Sequence, residues 1–273
     1  IGGIPTGSNY FVRVSVEEGN YFDEWWADPA SVRTCGQAAT FALNEGGAKT
    51  GVNFQLDPGG VIKGTLFKTD GVTPVTDASF YVQVVSGDPC GDYDYVSSLY
   101  VYPDDKGTYE IGGIPTGSNY FLRVTGAGGN YIDEWWAAPA SVRTCGAAGV
   151  FPLDEGTTKT GVNFQLDQGG VVKGTVFKTN GTTPVSDGTL FVGLFAGDPC
   201  GIHEEVASGW VGSSGAYEIV AIPGGTDYFL RTQVYEGNYT FEWWADPASV
   251  NTCGAAKVFP VSEGESTAGL NFQ

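Results

Sequence analysis

The chain has 273 residues with 13 basic and 31 acidic side chains, which gives a formal net charge of −18 at pH 7. This balance argues against nucleic acid or an anionic membrane surface as a partner. No apolar run approaches the roughly 20 residues of a membrane-spanning segment, and no signal peptide is recognisable. The chain has no Met and begins at Ile1. We therefore expect any export signal or anchor to lie outside this stretch.

The sequence repeats itself. "IGGIPTGSNYF" stands at 1–11 and 111–121, and "IVAIPGGTDYF" stands at 219–229. A unit of about 100–150 residues can bury its own core, so each repeat is predicted to be a domain and not a solenoid turn. The predicted domains are two full repeats and the C-terminal half of another, which is completed from outside the segment. They span 57–166, 167–273 and 1–56, respectively.

Short alternating runs bounded by Gly, Asp and Pro predict an all-β chain. The first 56 residues contribute back-half strands in "IGGIPTGSNYFVRV", "ATFALNE" and "GVNFQL". In the middle repeat, seven strands are predicted near 60–68, 79–86, 95–102, 108–113, 119–125, 148–153 and 160–166. No run of ten or more residues has a helical period. About seven strands per unit predict tandem two-sheet β-sandwiches of the Greek-key type.

The stretches "GGVIKGTLFKTDG", "GTYEIGGIPTGSNYFLRV" and "TGVNFQL" resemble the carboxypeptidase regulatory-like domain, a transthyretin-like β-sandwich. The "Y-x-x-E-W-W" insertion is similar to versions found in tandem arrays on secreted bacterial surface proteins. The resemblance implies a stalk, spacer or adhesive module, although a fold does not by itself give a function. The chain departs from the pattern in its cysteines and in the long hairpin around "GDPCGDYDY".

The cysteines alternate between "GDPCG" in the front half of a repeat and "TCG" in the back half; they are Cys35, Cys90, Cys145, Cys200 and Cys253. The absence of a Cys-x-x-Cys motif argues against zinc and favours disulfides in an oxidising compartment. Spacing leaves the pairing open. A domain that folds alone should close its own bridge, so we expect Cys90–Cys145 and Cys200–Cys253. Cys35 is then expected to pair with a cysteine outside the segment.

Catalysis finds little support in the sequence. The one histidine, His203, occurs in a single repeat, whereas every other distinctive feature is repeated. Carboxylate pairs such as Asp23-Glu24 and Glu204-Glu205 are adjacent, and adjacent residues of a strand point to opposite faces. No phosphate-binding or dinucleotide-binding loop is present. We expect a protein that is not an enzyme and has no cofactor.

Calcium is the one metal ion for which the sequence offers candidate ligands. "GDPCGDYDY" at 87–95 and "PDDKG" at 103–107 place carboxylates in turns, where hard cations find oxygen ligands. The third repeat has "SSGA" in place of "DDKG", which confines any ion to one repeat. We therefore expect a solvated acidic surface and no metal site.

Each repeat carries two adjacent tryptophans; they are Trp25, Trp26, Trp135, Trp136, Trp243 and Trp244. A structural interpretation places one ring over the open end of the sandwich and the other over the disulfide loop, with the preceding Glu accepting an indole N–H. A second makes the outer ring a contact between domains or chains. A third makes it a platform for a sugar ring. Because "AAPASVRT" holds few polar side chains, the structural interpretation is favoured.

A covalent staple is a further alternative, because the "FKTDG" turn is similar to that of collagen-adhesin B-type domains, which form Lys–Asn isopeptide bonds. The nucleophiles would be Lys68 and Lys178. Asn163 and Asn271 alternate with core residues, however, so they are predicted to face away from the buried site that this reaction needs.

Only "DPGG" or "DQGG" separates successive repeats, which predicts a semi-rigid rod. The favoured function is an extracellular or cell-surface structural array, such as a surface fibre, pilus-like filament or adhesin stalk. Its expected partners are copies of itself or flanking repeats of a longer chain. The alternative is a carbohydrate-binding surface module that recognises a glycan. The position of the outer tryptophan, at a domain contact or in an open polar groove, discriminates the two.

Overall fold

The computed structural model describes residues 1–17 and 19–273, and in these ranges the regular structure is β-strand with four short 3₁₀ helices. Those helices are Cys35–Gln37, Pro103–Asp105, Cys145–Ala147 and Cys253–Ala255. None of the described residues forms a helix that is long and apolar enough to cross a membrane. The prediction of an all-β chain is confirmed.

The middle repeat contains two sheets. Its strands are β5 (Gly60–Phe67), β6 (Ser79–Gly87), β7 (Tyr93–Val101), β8 (Thr108–Ile114), β9 (Gly117–Gly128), β10 (Glu134–Trp135), β11 (Phe151–Leu153), β12 (Thr158–Lys159) and β13 (Phe164–Gln165). One sheet has the order β10-β9-β6-β7, with β11 also on β9. In the other, β5 pairs antiparallel with β8 and parallel with β12 and β13. Four shorter strands precede them: β1 (Gly7–Tyr10), β2 (Arg13–Val14), β3 (Glu24–Trp25) and β4 (Phe41–Leu43).

Nine strands therefore stand where seven were predicted. The segment after β9 adds the short β10, and the closing run is divided into β12 and β13. Gly161 lies between these two with a φ of 72°, a left-handed conformation that interrupts an extended run. The predicted alternation of the closing run is present, since Val162, Phe164 and Leu166 are buried in the core.

The third repeat has the same plan. Its strands are β14 (Gly170–Thr175), β15 (Thr189–Gly197), β16 (His203–Trp210), β17 (Ala216–Ile222), β18 (Gly225–Glu236), β19 (Phe259–Val261) and β20 (Ser266–Thr267). They form one sheet of order β16-β15-β18-β19 and a second of order β17-β14-β20. On β15, Leu190, Val192 and Leu194 point into the core, while Phe191 lies on the opposite face because neighbouring strand residues alternate.

The first 56 residues form only short strands: β1 (Gly7–Tyr10), β2 (Arg13–Val14), β3 (Glu24–Trp25) and β4 (Phe41–Leu43). The strand expected in "GVNFQL" at 51–56 does not form. In the middle repeat its counterpart, β13, pairs with the opening strand β5, and residues 1–56 have no such opening strand. Likewise, β9 runs unbroken over 12 residues along β6, whereas its counterpart is divided into β1 and β2.

Candidate functional site: the junctions between repeats

The chain passes from one repeat to the next through a short linker held by an asparagine. At the first junction, the backbone oxygen of Asn20 accepts the N–H of Gly59 at 3.1 Å, and its Oδ1 accepts the N–H of Gly113 at 2.9 Å. Gly113 belongs to the next repeat, so one side chain ties a loop of one sandwich to a turn of the other.

The second junction repeats this arrangement. The backbone oxygen of Asn130 accepts the N–H of Gly169 at 3.1 Å, and its Oδ1 accepts the N–H of Ala221 at 2.7 Å. Ala221 has a φ of 58°, in the left-handed region where Gly113, its counterpart, has 67°. The turn keeps its conformation even where the residue changes.

The glutamates of the first two "EWW" motifs bind the linkers that follow their repeats. Glu24 and Glu134 are each 1% exposed. Their Oε1 atoms accept the backbone N–H groups of Asp57 and Asp167, respectively, each at 2.9 Å. The expectation that this glutamate accepts an indole N–H is therefore wrong, because its carboxylate faces the linker. The Oε2 atom of each has no hydrogen-bond partner among the described residues. Burial raises the pKa of Glu134.

A serine fixes the closing strand beside that glutamate. The Ser141 hydroxyl donates to the backbone oxygen of Gln165 at 2.7 Å and accepts the Gln165 N–H at 2.9 Å. Ser31 makes the same pair of bonds with Gln55, and Ser249 makes them with Gln273. The end of each repeat is thereby held against its own "EWW" segment before the linker begins.

An arginine bridges each junction. The guanidinium of Arg33 donates to both carboxylate oxygens of Glu155 in the next repeat, at 2.7 and 2.8 Å, and to Asp57 in the linker at 2.9 Å. A bidentate pair of this kind fixes orientation as well as distance. The hydrogen bonds that Arg33 donates hold the pKa of Glu155 below its usual value.

Arg143 makes the equivalent contacts at the second junction. It donates to both carboxylate oxygens of Glu263 in the third repeat and to Asp167 in the linker. Glu263 in turn accepts the N–H of Gly224 at 2.8 Å, and the hydrogen bonds from Arg143 lower the pKa of Glu263. In the third repeat the corresponding residue is Asn251, so the bridging arginine is present at both junctions but not in the last "TCG" motif.

The six paired tryptophans pack within their own repeats. The second ring of each pair meets a phenylalanine of the same repeat edge to face, as in Trp26–Phe41 at 5.9 Å and Trp136–Phe151 at 5.4 Å between centroids. Trp244 and Phe259 do the same.

The first rings of the tryptophan pairs lie on the other side of the sheet. Trp25 lies under the guanidinium of Arg13, and Trp135 lies under that of Arg123. None of the six is an exposed side chain. They do not line an open groove, and their aromatic partners lie in the same repeat and not across a junction.

The cysteines pair within repeats. Sulfur atoms of Cys90 and Cys145 are 2.01 Å apart, and those of Cys200 and Cys253 are 2.05 Å apart. Cys35 is exposed and is a free thiol in the described residues.

The residues considered for catalysis and metal binding have structural contacts. His203 Nδ1 donates to the backbone oxygen of Gly201 at 3.0 Å, and its ring packs against Phe195. Asp105 accepts the N–H of Tyr102 at 2.7 Å and caps a turn. In the described residues, no group of three or more His, Cys, Asp or Glu side chains is arranged to hold a metal ion.

The isopeptide geometry is not present. Lys68 Nζ pairs with Asp77 Oδ2 at 2.7 Å, while Asn163 Oδ1 accepts the backbone N–H of Thr65 at 3.0 Å. Lys178 likewise pairs with Asp187. The asparagines therefore serve strand pairing, as the outward orientation predicted for them allows.

Residues 1–56 leave an apolar face uncovered. A groove of about 500 Å³ is lined mainly by apolar side chains, among them Val12, Val14, Phe41 and Phe54. The matching residues of the middle repeat are fully buried or nearly so, in contact with β5 and β6. Ile1, which corresponds to the buried Ile111, is fully exposed.

An exposed aromatic cluster was not foreseen from the sequence. Phe191, Trp210 and Tyr235 lie together on the outer face of the third repeat, with Trp210 64% exposed and Tyr235 68% exposed. The sequence feature that could have revealed this cluster is Trp210, the one tryptophan of the seven that lies outside the "EWW" motifs.

Comparison with known proteins gives no family. No family model matches the chain, and no curated protein matches it. Solved structures with partial similarity include a streptococcal ancillary pilin, 15% identical with a TM-score of 0.34, over 96% of this chain and 80% of that one. A minor pilin of Streptococcus agalactiae is 11% identical with a TM-score of 0.33, over 77% of this chain and 94% of that one.

The Bacillus anthracis TIE protein is 16% identical with a TM-score of 0.27; the match covers 81% of this chain and 34% of that protein's length. Superpositions at these scores do not assign the chain to a family.

Proposed function

We propose that this chain is a length-building structural element of an extracellular fibre, pilus-like filament or adhesin stalk, and that it has no catalytic role. The observation that carries the proposal is the recurrence of one set of junction contacts. Arg33 with Glu155 and Arg143 with Glu263 make the same bidentate bridge, 110 residues apart in sequence for the arginines. Because the same contacts form at both junctions, successive repeats are held against each other in the same way.

The linker contacts support this proposal energetically. Exposed ion pairs are each worth about 0–1 kcal/mol, so the arginine bridges alone would not hold two domains. They are joined by the asparagine bonds of Asn20 and Asn130 and by the buried glutamate bond to each linker. Together these restrain a linker that is too short to act as a flexible tether.

The two disulfides within the repeats and the acidic composition support an oxidising, extracellular location. We also retain, as part of the proposal, that the repeats are carboxypeptidase regulatory-like modules. The opening "GGVIKGT" and closing "GVNFQL" segments that carry the resemblance are those that pair in parallel as β5 and β13.

We propose further that residues 1–56 are completed by front-half strands from outside the segment. An uncovered apolar face with unpaired strand edges is a state that proteins avoid by covering or pairing it. The middle repeat provides the pattern for the missing part, namely strands equivalent to β5, β6 and β7 with a "GDPCG" cysteine that reaches Cys35.

This completion is testable with a synthetic peptide of residues 79–101, which spans β6 and β7 and contains Cys90. In a glutathione redox buffer, the peptide should form a mixed disulfide with Cys35 of the full chain in preference to a scrambled peptide of equal composition. Equal capture of the two peptides would contradict the proposal.

The fibre proposal itself is tested by electron microscopy of the native material released from the producing cells. We expect rods or filaments whose axial period matches one repeat. Discrete compact particles would overturn the proposal.

A further inference from the structure

The outer face of the third repeat carries three aromatic rings that the core does not use. Phe191 on β15 lies directly opposite Trp210 on β16, and Tyr235 follows on β18. Ring centroids are 5.5 Å apart for Phe191–Trp210, 5.4 Å for Phe191–Tyr235 and 5.8 Å for Trp210–Tyr235. Trp210 and Tyr235 are inclined by 32° to each other, and with Phe191 they form one contiguous aromatic surface, called the platform below.

Polar side chains flank this platform. Gln233 lies opposite Phe191 on β18, and its Nε2 is 3.4 Å from Oε2 of Glu205 on β16. At the other end, the Thr189 hydroxyl donates to Glu236 Oε2 at 3.3 Å. Amide, hydroxyl and carboxylate groups are thus placed at both ends of an exposed aromatic surface.

We infer that this cluster binds a neutral saccharide, with Trp210 and Tyr235 stacking on the sugar rings and Gln233, Glu205 and Glu236 bonding the hydroxyl groups. The apolar C–H face of a pyranose suits an aromatic platform, and its hydroxyls suit mixed donors and acceptors. Anionic glycans are disfavoured by the flanking carboxylates and by the net charge of −18.

The size of the patch favours a saccharide over a protein. A buried aromatic residue contributes about 150–250 Å², so two rings exposed by about two-thirds and a half-buried third offer roughly 300–400 Å². A stable protein interface takes about 800 Å² from each partner. Carboxylates also flank the patch, at Glu205 and Glu236.

The middle repeat provides an internal control. It keeps an aromatic cross-strand pair at the same place, Tyr81 with Tyr100, but Thr125 and Ala127 stand where the third repeat has Gln233 and Tyr235. The middle repeat has its own third ring, Tyr102, at 4.5 Å from Tyr100, but the ring at the position of Tyr235 and the flanking amide are confined to the third repeat. We assign binding to that repeat alone.

The test uses the full chain labelled with ¹⁵N and three neutral oligosaccharides: maltohexaose, cellohexaose and chitohexaose. Each is added to about 10 mM, well above a Kd of about 1 mM. We expect at least one to shift the indole N–H resonance of Trp210, assigned with Trp210→Phe. Affinities are followed by the backbone amide shifts of Phe191 and Gln233, which do not need the Trp210 indole. Trp210→Ala and Tyr235→Ala should each weaken binding about tenfold or more, and Tyr100→Ala should leave it unchanged.

Both substituted side chains are exposed, so melting temperatures close to wild type are expected; Tyr235→Ala decides the question if Trp210→Ala fails to fold. The inference is overturned if no oligosaccharide perturbs Trp210, or if binding survives both alanine variants. It is also overturned if sedimentation equilibrium shows a dimer that Trp210→Ala dissociates, since the patch would then belong to a second copy of the chain.

Discussion

The buried carboxylate of Glu134 accepts the backbone N–H of Asp167 at 2.9 Å, across 33 residues of sequence. Asp167 is the first residue of the linker to the third repeat, so the "EWW" motif acts on the junction as well as on its own sandwich. Glu24 and Asp57 are related in the same way. Residues 1–56 and the middle repeat therefore each use a buried glutamate to position the start of the repeat that follows.

Glu134→Gln should make the chain more stable at neutral pH. Burial raises the pKa of Glu134, so the folded state binds this proton more tightly than the unfolded state. The stability that the glutamate contributes is therefore present below its ordinary value of 4.5 and is lost as pH rises through the folded pKa. Gln resembles the protonated form and still accepts the linker N–H.

Thermal unfolding of wild type and Glu134→Gln at pH 4 and pH 7.5 measures this. The advantage of the variant should be small at pH 4 and larger at pH 7.5, while the exposed control Glu110→Gln shows no such trend. Glu134→Ala, which removes the acceptor, should lose about 1–3 kcal/mol. A constant difference between wild type and Glu134→Gln at both pH values would contradict the account.

Arg143→Ala should loosen the second junction without unfolding either repeat. Its ion pairs are partly exposed, so the free energy of unfolding should fall by no more than about 1 kcal/mol for each pair. Without the bridge to Glu263 the linker opens more often. Cleavage by Asp-N protease before Asp167 should then become several-fold faster.

Arg123→Ala is the matched control for this experiment, because Arg123 pairs with Asp133 inside the middle repeat. That variant should leave the rate of cleavage before Asp167 unchanged. If both variants accelerate cleavage equally, the bridge has no special part in the junction.

Non-reducing peptide mapping should recover Cys90–Cys145 and Cys200–Cys253 as the two disulfides. Each closes a loop of 55 or 53 residues, and removing one by a paired Cys→Ser substitution should cost about 2–5 kcal/mol in the repeat that contains it. Recovery of Cys35–Cys90 and Cys145–Cys200 would mean that bridges join neighbouring repeats instead.

Asp70→Asn should reduce the acid sensitivity of the middle repeat. Asp70 accepts the N–H groups of Val72 and Thr73 and the Thr73 hydroxyl, which lower its pKa to about 2. Its contribution is present above its ordinary pKa of 3.8 and is lost as pH falls through about 2.

The third repeat has Asn180 at this position, accepting the N–H groups of Thr182 and Thr183, so the substitution fits the turn. Stability measured between pH 4 and pH 2 should fall less steeply for Asp70→Asn than for wild type. Parallel curves for the two proteins would show that the turn carboxylate does not contribute.

The fold was largely predictable from the sequence, because Val162, Phe164 and Leu166 alternate with polar residues and all three are buried. The junction was not. The partner of Glu134 lies 33 residues away in a linker whose path no local pattern specifies. Arg143 was visible only as part of a repeated "SVRTCG", since its partner Glu263 lies 120 residues away.

The exposed aromatic platform was not predictable from the sequence for a different reason. Trp210 is replaced by Tyr100 in the middle repeat, so it does not belong to the tryptophan pattern that recurs in every repeat. Trp210 is exposed because it lies on the outer face of a sheet, and sequence periodicity alone does not distinguish a solvent-exposed sheet face from a covered one.

Small-angle X-ray scattering of the full chain tests most directly the central claim that the junctions hold successive repeats in one arrangement. We predict a profile that one elongated conformation fits, with the same maximum dimension at low salt and at about 0.5 M salt, where exposed charges are largely screened. A profile that only an ensemble of bent arrangements can fit, or a maximum dimension that changes with salt, would contradict the claim.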